Sequence, residues 1–289
     1  MMENKEKNKL EKSTLYLVGT PIGNLADISE RAVKVLSEVD FIAAEDTRNS
    51  MKLCSALGIK KELVSYFEHN KRASGEKIIA RLITGESCAL VTDAGMPAIS
   101  DPGEDIVKLC ADAGITVSVI PGPCAAVSAL ALSALSTSRF TFEGFLPAQK
   151  NERKKRLDAL KREDRTMIFY EAPHKLKSTL LDMKEAFGDE RKISLCRELT
   201  KLNEEVIRTT LSAAVEYYAE KEPRGEYVIV LDGISPDELS QNEENPLLSL
   251  SPSEHVERYV NLGLSKMDAI KAAAKDRKIS KSEMYKLVL

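Results

Sequence analysis

From Leu15 to Ile120, short apolar runs alternate with stretches of helical period, and this alternation constrains the fold more than any other feature. The runs Leu15–Val18, Phe41–Ala44, Leu63–Tyr66, Cys88–Thr92 and Thr116–Ile120 read as buried strands. Between them, Ala32, Val33, Leu36 and Val39 recur on one helical face, as do Ile78, Ile79, Leu82 and Ile83. Ile106, Val107, Leu109, Cys110 and Ala113 mark a further helix, closed by Gly114. Asp27–Glu30 has capping-box spacing and predicts the start of the first helix. Short apolar strands separated by helices need cover on both faces, so a mainly parallel sheet between helical layers follows.

The pattern restarts after Pro121-Gly122-Pro123. Cys124–Leu135 is apolar nearly all round and predicts a buried helix. Strands follow at Phe140–Phe145, Thr166–Tyr170, Lys192–Cys196, Glu204–Thr209 and Tyr227–Leu231, with helices at Asn151–Lys161 and Lys175–Phe187. The late strands lie close together, which points to antiparallel pairs. Ser235–Pro252 has linker composition. Beyond it, Ser253–Leu262, Lys266–Lys275 and Ser280–Leu289 resemble a helix-turn-helix layout, which can bind nucleic acid, cap the fold or dimerise it. The expected class is α/β: consecutive α/β domains at 13–121 and 122–234, a linker at 235–252 and a small helical unit at 253–289.

Composition narrows the function. Hydrophobic residues at 43% and charged residues at 30% describe a globular chain. No apolar run reaches the ~18 residues of a membrane span, and Met1–Lys12 lacks the apolar core of a signal peptide, so a cytoplasmic protein away from membranes is expected. The cysteines Cys54, Cys88, Cys110, Cys124 and Cys196 form no CxxC pair and read as buried free thiols. With only His69, His174 and His255 besides, no metal site is expected. A net charge of −3 argues against a surface that grips nucleic acid all over. It leaves room for one basic patch, Lys150, Arg153, Lys154, Lys155, Arg156, Lys161 and Arg162. Glu152, Asp158 and Glu163 are interleaved there, so a solvated helix face competes with an RNA contact.

Four strand-end segments are too rich in Gly, Pro and acid for ordinary core. The first, Val18-Gly19-Thr20-Pro21-Ile22-Gly23-Asn24-Leu25, is not the GxGxxG phosphate cradle. The second runs from Thr92 to Gly103, where ligands collect in α/β sheets. Asp93 and Asp101 could be metal ligands, but a magnesium site wants a phosphate-binding loop beside its carboxylates and none is present. The third, Pro121–Ala126, reads as a rigid hinge whose small residues also let a ligand lie close to the backbone. The fourth, Phe169–Lys175, brings Tyr170, Glu171 and His174 into one loop.

Taken with AEDTR (44–48), FEHN (67–70), FEGFLP (142–147) and CRELTKLNEE (196–205), these segments resemble the tetrapyrrole methylase superfamily. They are most similar to its ribosomal RNA small subunit methyltransferase I family, the 16S rRNA cytidine 2′-O-methyltransferases. The resemblance runs from about Thr14 to Asp232 and into the C-terminal helices. It implies S-adenosyl-L-methionine as cofactor, 16S rRNA in the small ribosomal subunit as substrate, and a homodimer. It also implies cofactor contacts at Pro21, Asp93, Gly95, Met96, Ile99, Cys124, Ala125, Tyr170, Glu171 and Leu199. A ribose hydroxyl attacks better once its proton has an acceptor. Glu45, Asp46, His69, Glu171, His174 and Glu204 are candidates, with Arg48 to hold a carboxylate or phosphate; the acceptor itself stays open. Asp46 and Arg48 read equally well as an ion pair pinning a loop. Two other functions fit less of the sequence. A small-molecule methylase of the same fold would put no methyl into rRNA, and a non-enzymatic RNA binder would not bind the cofactor.

Overall fold

The computed structural model describes residues 9–235, 238–239, 246–277 and 279–288. Most of Met1–Lys12, part of Ser235–Pro252, Lys278 and Leu289 lie outside the described residues. The chain divides into two compact units, Met1–Gly233 and Ile234–Leu289.

In the first unit, β1 (Thr14–Val18), β2 (Phe41–Ala44), β3 (Glu62–Ser65), β4 (Cys88–Val91) and β5 (Thr116–Ile120) form a wholly parallel sheet. Its order is β3-β2-β4-β1-β5. Successive side chains point to opposite faces of a strand. Tyr16, Val18, Ile42, Ala44, Ala89 and Val91 therefore meet Ala32, Val35 and Leu36 of α1 (Glu30–Glu38). Leu15, Phe41, Ala43, Cys88 and Leu90 meet Ile78 and Leu82 of α3 (Lys71–Ile83) and Ile106 and Cys110 of α4 (Glu104–Asp112). The chain leaves β1 toward β2 and β3, but leaves β4 across β1 toward β5. These adjacent strands thus send their connections opposite ways, which opens a crevice beyond their carboxyl ends.

A mixed sheet follows, of order β6-β7-β10-β8-β9. Its strands are β6 (Phe140–Phe145), β7 (Thr166–Glu171), β8 (Lys192–Arg197), β9 (Glu205–Thr210) and β10 (Tyr227–Leu231). Only β6 and β7 are parallel; the remaining pairs are antiparallel. Met167, Phe169, Ile193, Leu195 and Ile229 pack under α6 (Lys150–Ala159), α7 (Pro173–Phe187) and α8 (Leu211–Glu220). On the opposite face, Ile168, Cys196, Val228 and Val230 pack against α5 (Ala125–Leu132).

Some expectations shift. The first helix starts after Ser29, whose hydroxyl accepts the Ala32 N–H, while Asn24 caps a 3-10 turn at Leu25–Asp27. The capping box read at Asp27–Glu30 is thus replaced by two separate caps. The helix α2 (Thr47–Ala56) gave no sequence signal because it buries only Ser50 and Cys54. The helix α5 is shorter than Cys124–Leu135 and buried on one side only. Val127 is 53% exposed and Leu132 is also exposed, because a helix on the outside of a single sheet face has one face to hide.

In the second unit, α9 (Pro252–Asn261), α10 (Lys266–Asp276) and α11 (Lys281–Val288) bury Val256, Ala269, Ile270, Ala273, Ala274 and Met284 together. Ser251 and Glu254 form a capping box on α9, and Ser265 accepts the Asp268 N–H at the start of α10. His255 is fully buried, with Nε2 3.1 Å from the Asp276 carboxylate and Nδ1 3.1 Å from Arg277 Nε.

Candidate active site

Three loops at the carboxyl ends of the parallel sheet are tied together by backbone. Thr20 N–H donates to Gly95 O at 2.9 Å and Gly95 N–H returns to Thr20 O at 3.2 Å. The Thr20 hydroxyl donates to Thr92 O at 3.2 Å. Gly19 and Gly122 pack backbone to backbone, and a Cβ on Gly19 would lie 2.7 Å from Gly122 Cα. Gly95 needs its missing side chain, since its φ of +87° is left-handed. The following loop is held more tightly. Ala98 and Ser100 adopt φ of +67° and +61°, and a Cβ on Gly103 would press within 2.9 Å of Ala98. Left-handed non-glycine residues cost about 1–3 kcal/mol each and persist where the surroundings hold them.

The second sheet supplies the facing wall. A bulge between Phe142 and Gly144, with Gly144 at φ +64°, turns the end of β6. Gly144 thereby approaches Ser100 so closely that a Cβ would meet its Oγ at 3.2 Å. Phe145 is left 59% exposed, its ring edge-on to Tyr170 at 5.5 Å. Burial pushes the Tyr170 phenol up to about 12.

Between these walls lies a cavity of about 490 Å³, within the usual size of ligand pockets. Its apolar lining includes Ile22, Met96, Ile99, Ala125, Leu199 and Val228. Carboxylates gather on one side. Glu45 Oε2 accepts the Thr92 hydroxyl at 2.8 Å, and Asp93 Oδ2 accepts from Asn49 Nδ2 at 2.8 Å. Asp101 has its carboxyl raised to about 6, first by burial and then by the negative charge of Glu45. An apolar slot of this size with an acidic wall suits an elongated cationic ligand.

Glu45, Asp93, Gly95, Met96, Ile99, Cys124, Ala125, Tyr170, Glu171 and Leu199 all line this cavity. Pro21 does not; its neighbour Ile22 does. Asp46 and Arg48 also fall outside the lining. Asp46 caps α2 through the Arg48 N–H at 2.8 Å and grips the Arg48 guanidinium at 2.6 Å, which holds the Asp46 carboxyl down at about 2. This is the loop-pinning pair. His69 is exposed beside Phe67, away from the cavity. Glu171 lines the cavity but both oxygens are engaged, one by the Ala172 N–H at 2.8 Å and one by the Thr179 hydroxyl at 2.6 Å. Sequence reasoning did not single out Phe145 or Thr92, although both lie in segments it marked, and it weighed Asp101 only as a metal ligand; all three line the cavity. Nothing local distinguishes them within those segments: the bulge at Gly144 and the folding of Ala98–Gly103 bring them in.

The basic patch is largely neutralised within the fold. Arg153 pairs with Asp182 at 2.7 Å, Lys154 with Glu185 at 2.8 Å and Lys161 with Asp158 at 2.7 Å, while Arg156 pairs with Glu143. The solvated-face reading therefore gains over RNA contact at these positions.

A parallel sheet joined to a mixed sheet, with a ligand slot at the strand ends between them, defines a methylase of the tetrapyrrole type. The family model for tetrapyrrole (corrin/porphyrin) methylases matches residues 14–215. Two solved structures share the fold. Uroporphyrin-III-C-methyltransferase from Thermus thermophilus aligns with a TM-score of 0.53 at 22% identity, covering 75% of this chain and 94% of that one. A cobalt precorrin-4 methyltransferase aligns with a TM-score of 0.57 at 17% identity, covering 76% and 95%. The chain is similar along its length to proteins named ribosomal RNA small subunit methyltransferase I. The Bacillus subtilis (strain 168) relative is 50% identical over 277 residues, which is 96% of this chain and 94% of the relative. The Synechocystis relative is 42% identical over 275 residues, covering 95% and 97%. The chain belongs to the tetrapyrrole methylase family, on the branch of the ribosomal RNA small subunit methyltransferase I proteins.

Proposed function

We propose that this chain is an S-adenosylmethionine-dependent methyltransferase that methylates the ribose 2′-hydroxyl of a cytidine in 16S rRNA of the small ribosomal subunit. The observation that carries the reading is the acid-walled apolar slot, in a chain whose relatives are named for this class of reaction. S-adenosylmethionine is elongated and positively charged, so the residues present fit it. When bound, it supplies a methyl group on a cationic sulfur, already activated for displacement.

The protein's part is alignment and exclusion of water, which can be worth ~7–11 kcal/mol of barrier. Gly95, Met96, Ile99, Cys124 and Ala125 would hold the ligand from the parallel-sheet side, with Tyr170 and Leu199 opposite. Glu171 keeps the turn into α7 in shape through Ala172 and Thr179. Glu45, Asp93 and Asp101 would favour a cation in the slot. Phe145 offers a ring at the cavity wall on which a base can stack, the usual way single-stranded RNA is read. Arg48, although paired with Asp46, is 85% exposed, so its remaining edge is where a phosphate would meet this loop.

A cytoplasmic location accords with ribosomal RNA as substrate; among the described residues, no helix is long and apolar enough to cross a membrane. The exposed apolar residues Val127 and Leu132 on α5 support a homodimer. The deciding experiment supplies labelled S-adenosylmethionine with small ribosomal subunits from cells lacking this protein, then maps the label. Label on a ribose oxygen of one cytidine is expected. Cofactor binding without label in rRNA would end the rRNA reading in favour of a small-molecule methylase; no cofactor binding at all would end the enzyme reading.

A further inference from the structure

The basic run at Lys150–Arg162 spends most of its charge on carboxylates, but the C-terminal helical unit does not. Residues 252–288 hold two arginines and six lysines against five carboxylates, in a chain whose net charge is −3. Four of those carboxylates are engaged within the unit. Ser251 N–H donates to Glu254 at 2.9 Å, and the Ser265 hydroxyl donates to Asp268 at 2.6 Å. Glu283 accepts from the Ser280 N–H at 2.9 Å and from its hydroxyl at 2.7 Å. Asp276 accepts the Tyr259 hydroxyl at 2.6 Å and lies beside the buried His255. Asp268 and Glu283 stand three residues before Lys271 and Lys286, the spacing of a helical ion pair, yet both turn back to their capping serines. Among the cations, Arg277 is held by His255 and by Leu250 O. Arg258, Lys266, Lys271, Lys275, Lys281 and Lys286 are exposed, and none forms an ion pair among the described residues.

A merely solvated helix face alternates its charges so that each is answered nearby. Here the answering acids serve as caps, and the cations are left to the surface. On α10, Met267, Lys271 and Lys275 follow at four-residue spacing and share one face. Met267 is 51% exposed, and with Lys266, Ile270, Tyr285 and Val288 it lines a cleft of about 120 Å³ between α10 and α11. Tyr285 is itself exposed, one turn after Lys281. The face is therefore cationic, with an aromatic ring and an apolar notch set into it. A polyanion that carries flat bases answers both parts, its phosphates meeting lysines and a base stacking on the ring. An acidic protein segment answers the lysines alone.

Resting on the methyltransferase reading above, we propose that the α10–α11 face is an RNA-binding surface of its own, which anchors the ribosomal RNA substrate apart from the methylation cavity. Lys271 and Lys275 meet backbone phosphates, and Tyr285 takes an unpaired base. Lysines on phosphates release counterions and add affinity without reading sequence. The face thus acts on capture of the substrate, while the choice of nucleotide and the transfer of the methyl group stay with the cavity.

The test compares the full-length wild type with Lys271→Ala/Lys275→Ala, with Tyr285→Ala, and with a control, Lys77→Ala/Lys108→Ala, which removes two exposed lysines of α3 and α4. Methylation of small ribosomal subunits gives kcat and KM, binding to the same subunits is followed over a range of salt concentrations, and cofactor affinity is read by calorimetry. Lys271→Ala/Lys275→Ala should raise KM by roughly 10–30-fold at physiological salt, the loss of two released counterions. Its slope of log affinity against log salt should flatten by about 2. Tyr285→Ala should raise KM by about 5–150-fold, as for one stacked base, and keep the slope. In all of these kcat and cofactor affinity should match wild type, and the control should match it throughout. A lysine variant with wild-type KM and salt slope overturns the proposal and returns the face to solvent. So does a control that flattens the slope equally, which makes the effect one of overall charge. So does a lysine variant that loses self-association in sedimentation while its RNA slope is kept, which makes the face a protein contact. A wild type that binds cofactor but labels no rRNA rejects the parent reading instead, so the two failures are distinct.

Discussion

Arg153 is the residue on which the two readings of the basic patch diverge most. Its guanidinium and the Asp182 carboxylate are each 8% exposed and lie 2.7 Å apart. The same guanidinium also donates to Pro147 O at 3.4 Å and to Ala148 O at 3.2 Å, tying the loop before α6 to α7. Removing one partner of a buried pair leaves the other charged and unsolvated, which costs about 3–5 kcal/mol. Arg153→Met should therefore lower stability by that amount. For a unit of this size each kcal/mol moves Tm by roughly 2–4 °C, so a fall of roughly 6–20 °C is expected. Asp182→Leu should do the same, and the double variant should recover much of the loss. Lys154→Ala, which breaks the exposed pair with Glu185, should leave the transition in place because solvent screens such pairs. Differential scanning calorimetry, run beside rRNA methylation well below Tm, reads both outcomes. If Arg153→Met keeps its Tm while methylation of ribosomal subunits drops, the guanidinium contacts RNA and the buried-pair argument is wrong.

Three shorter predictions follow. Gly95→Ala forces a side chain into a left-handed position, at about 1–2 kcal/mol, and its Cβ would meet Ile22 at 3.4 Å; cofactor affinity by calorimetry should weaken about tenfold. Gly95→Arg should abolish binding, and survival of tight binding would move the cofactor out of this slot. Phe145→Ala should raise KM for ribosomal subunits by about 5–150-fold, the equivalent of ~1–3 kcal/mol of base stacking, with cofactor affinity unchanged; equal loss for both ligands would make Phe145 a cavity wall only. Val127→Glu sets a charge on the exposed face of α5 and should shift a dimer to monomers in analytical ultracentrifugation, whereas a wild type that sediments as a monomer removes the homodimer from the proposal.

The sequence by itself determined the class of fold and the parts of the site that belong to continuous segments. Apolar strands such as Phe41–Ala44 and Cys88–Val91 are buried on both faces, so each had to lie inside a layered α/β sheet whatever its neighbours. The loops holding Gly95, Met96, Ile99, Cys124 and Ala125 follow strands directly, and strand ends of such sheets converge on one rim. Local pattern could not supply the positions of helices with little to bury, such as α2, nor the exact cap of α1, where Ser29 competes with Asp27 for the start. It also could not rank the acids. Asp46, Glu171 and Asp101 are the same kind of group in the sequence. Only tertiary structure ties the first to Arg48, closes the second on Thr179 and leaves the third in a shared cavity beside Glu45. Whether a carboxylate is a cap, a brace or part of a cavity wall depends on which donors and charges lie within a few ångströms, and here those partners come from strands and loops tens of residues apart.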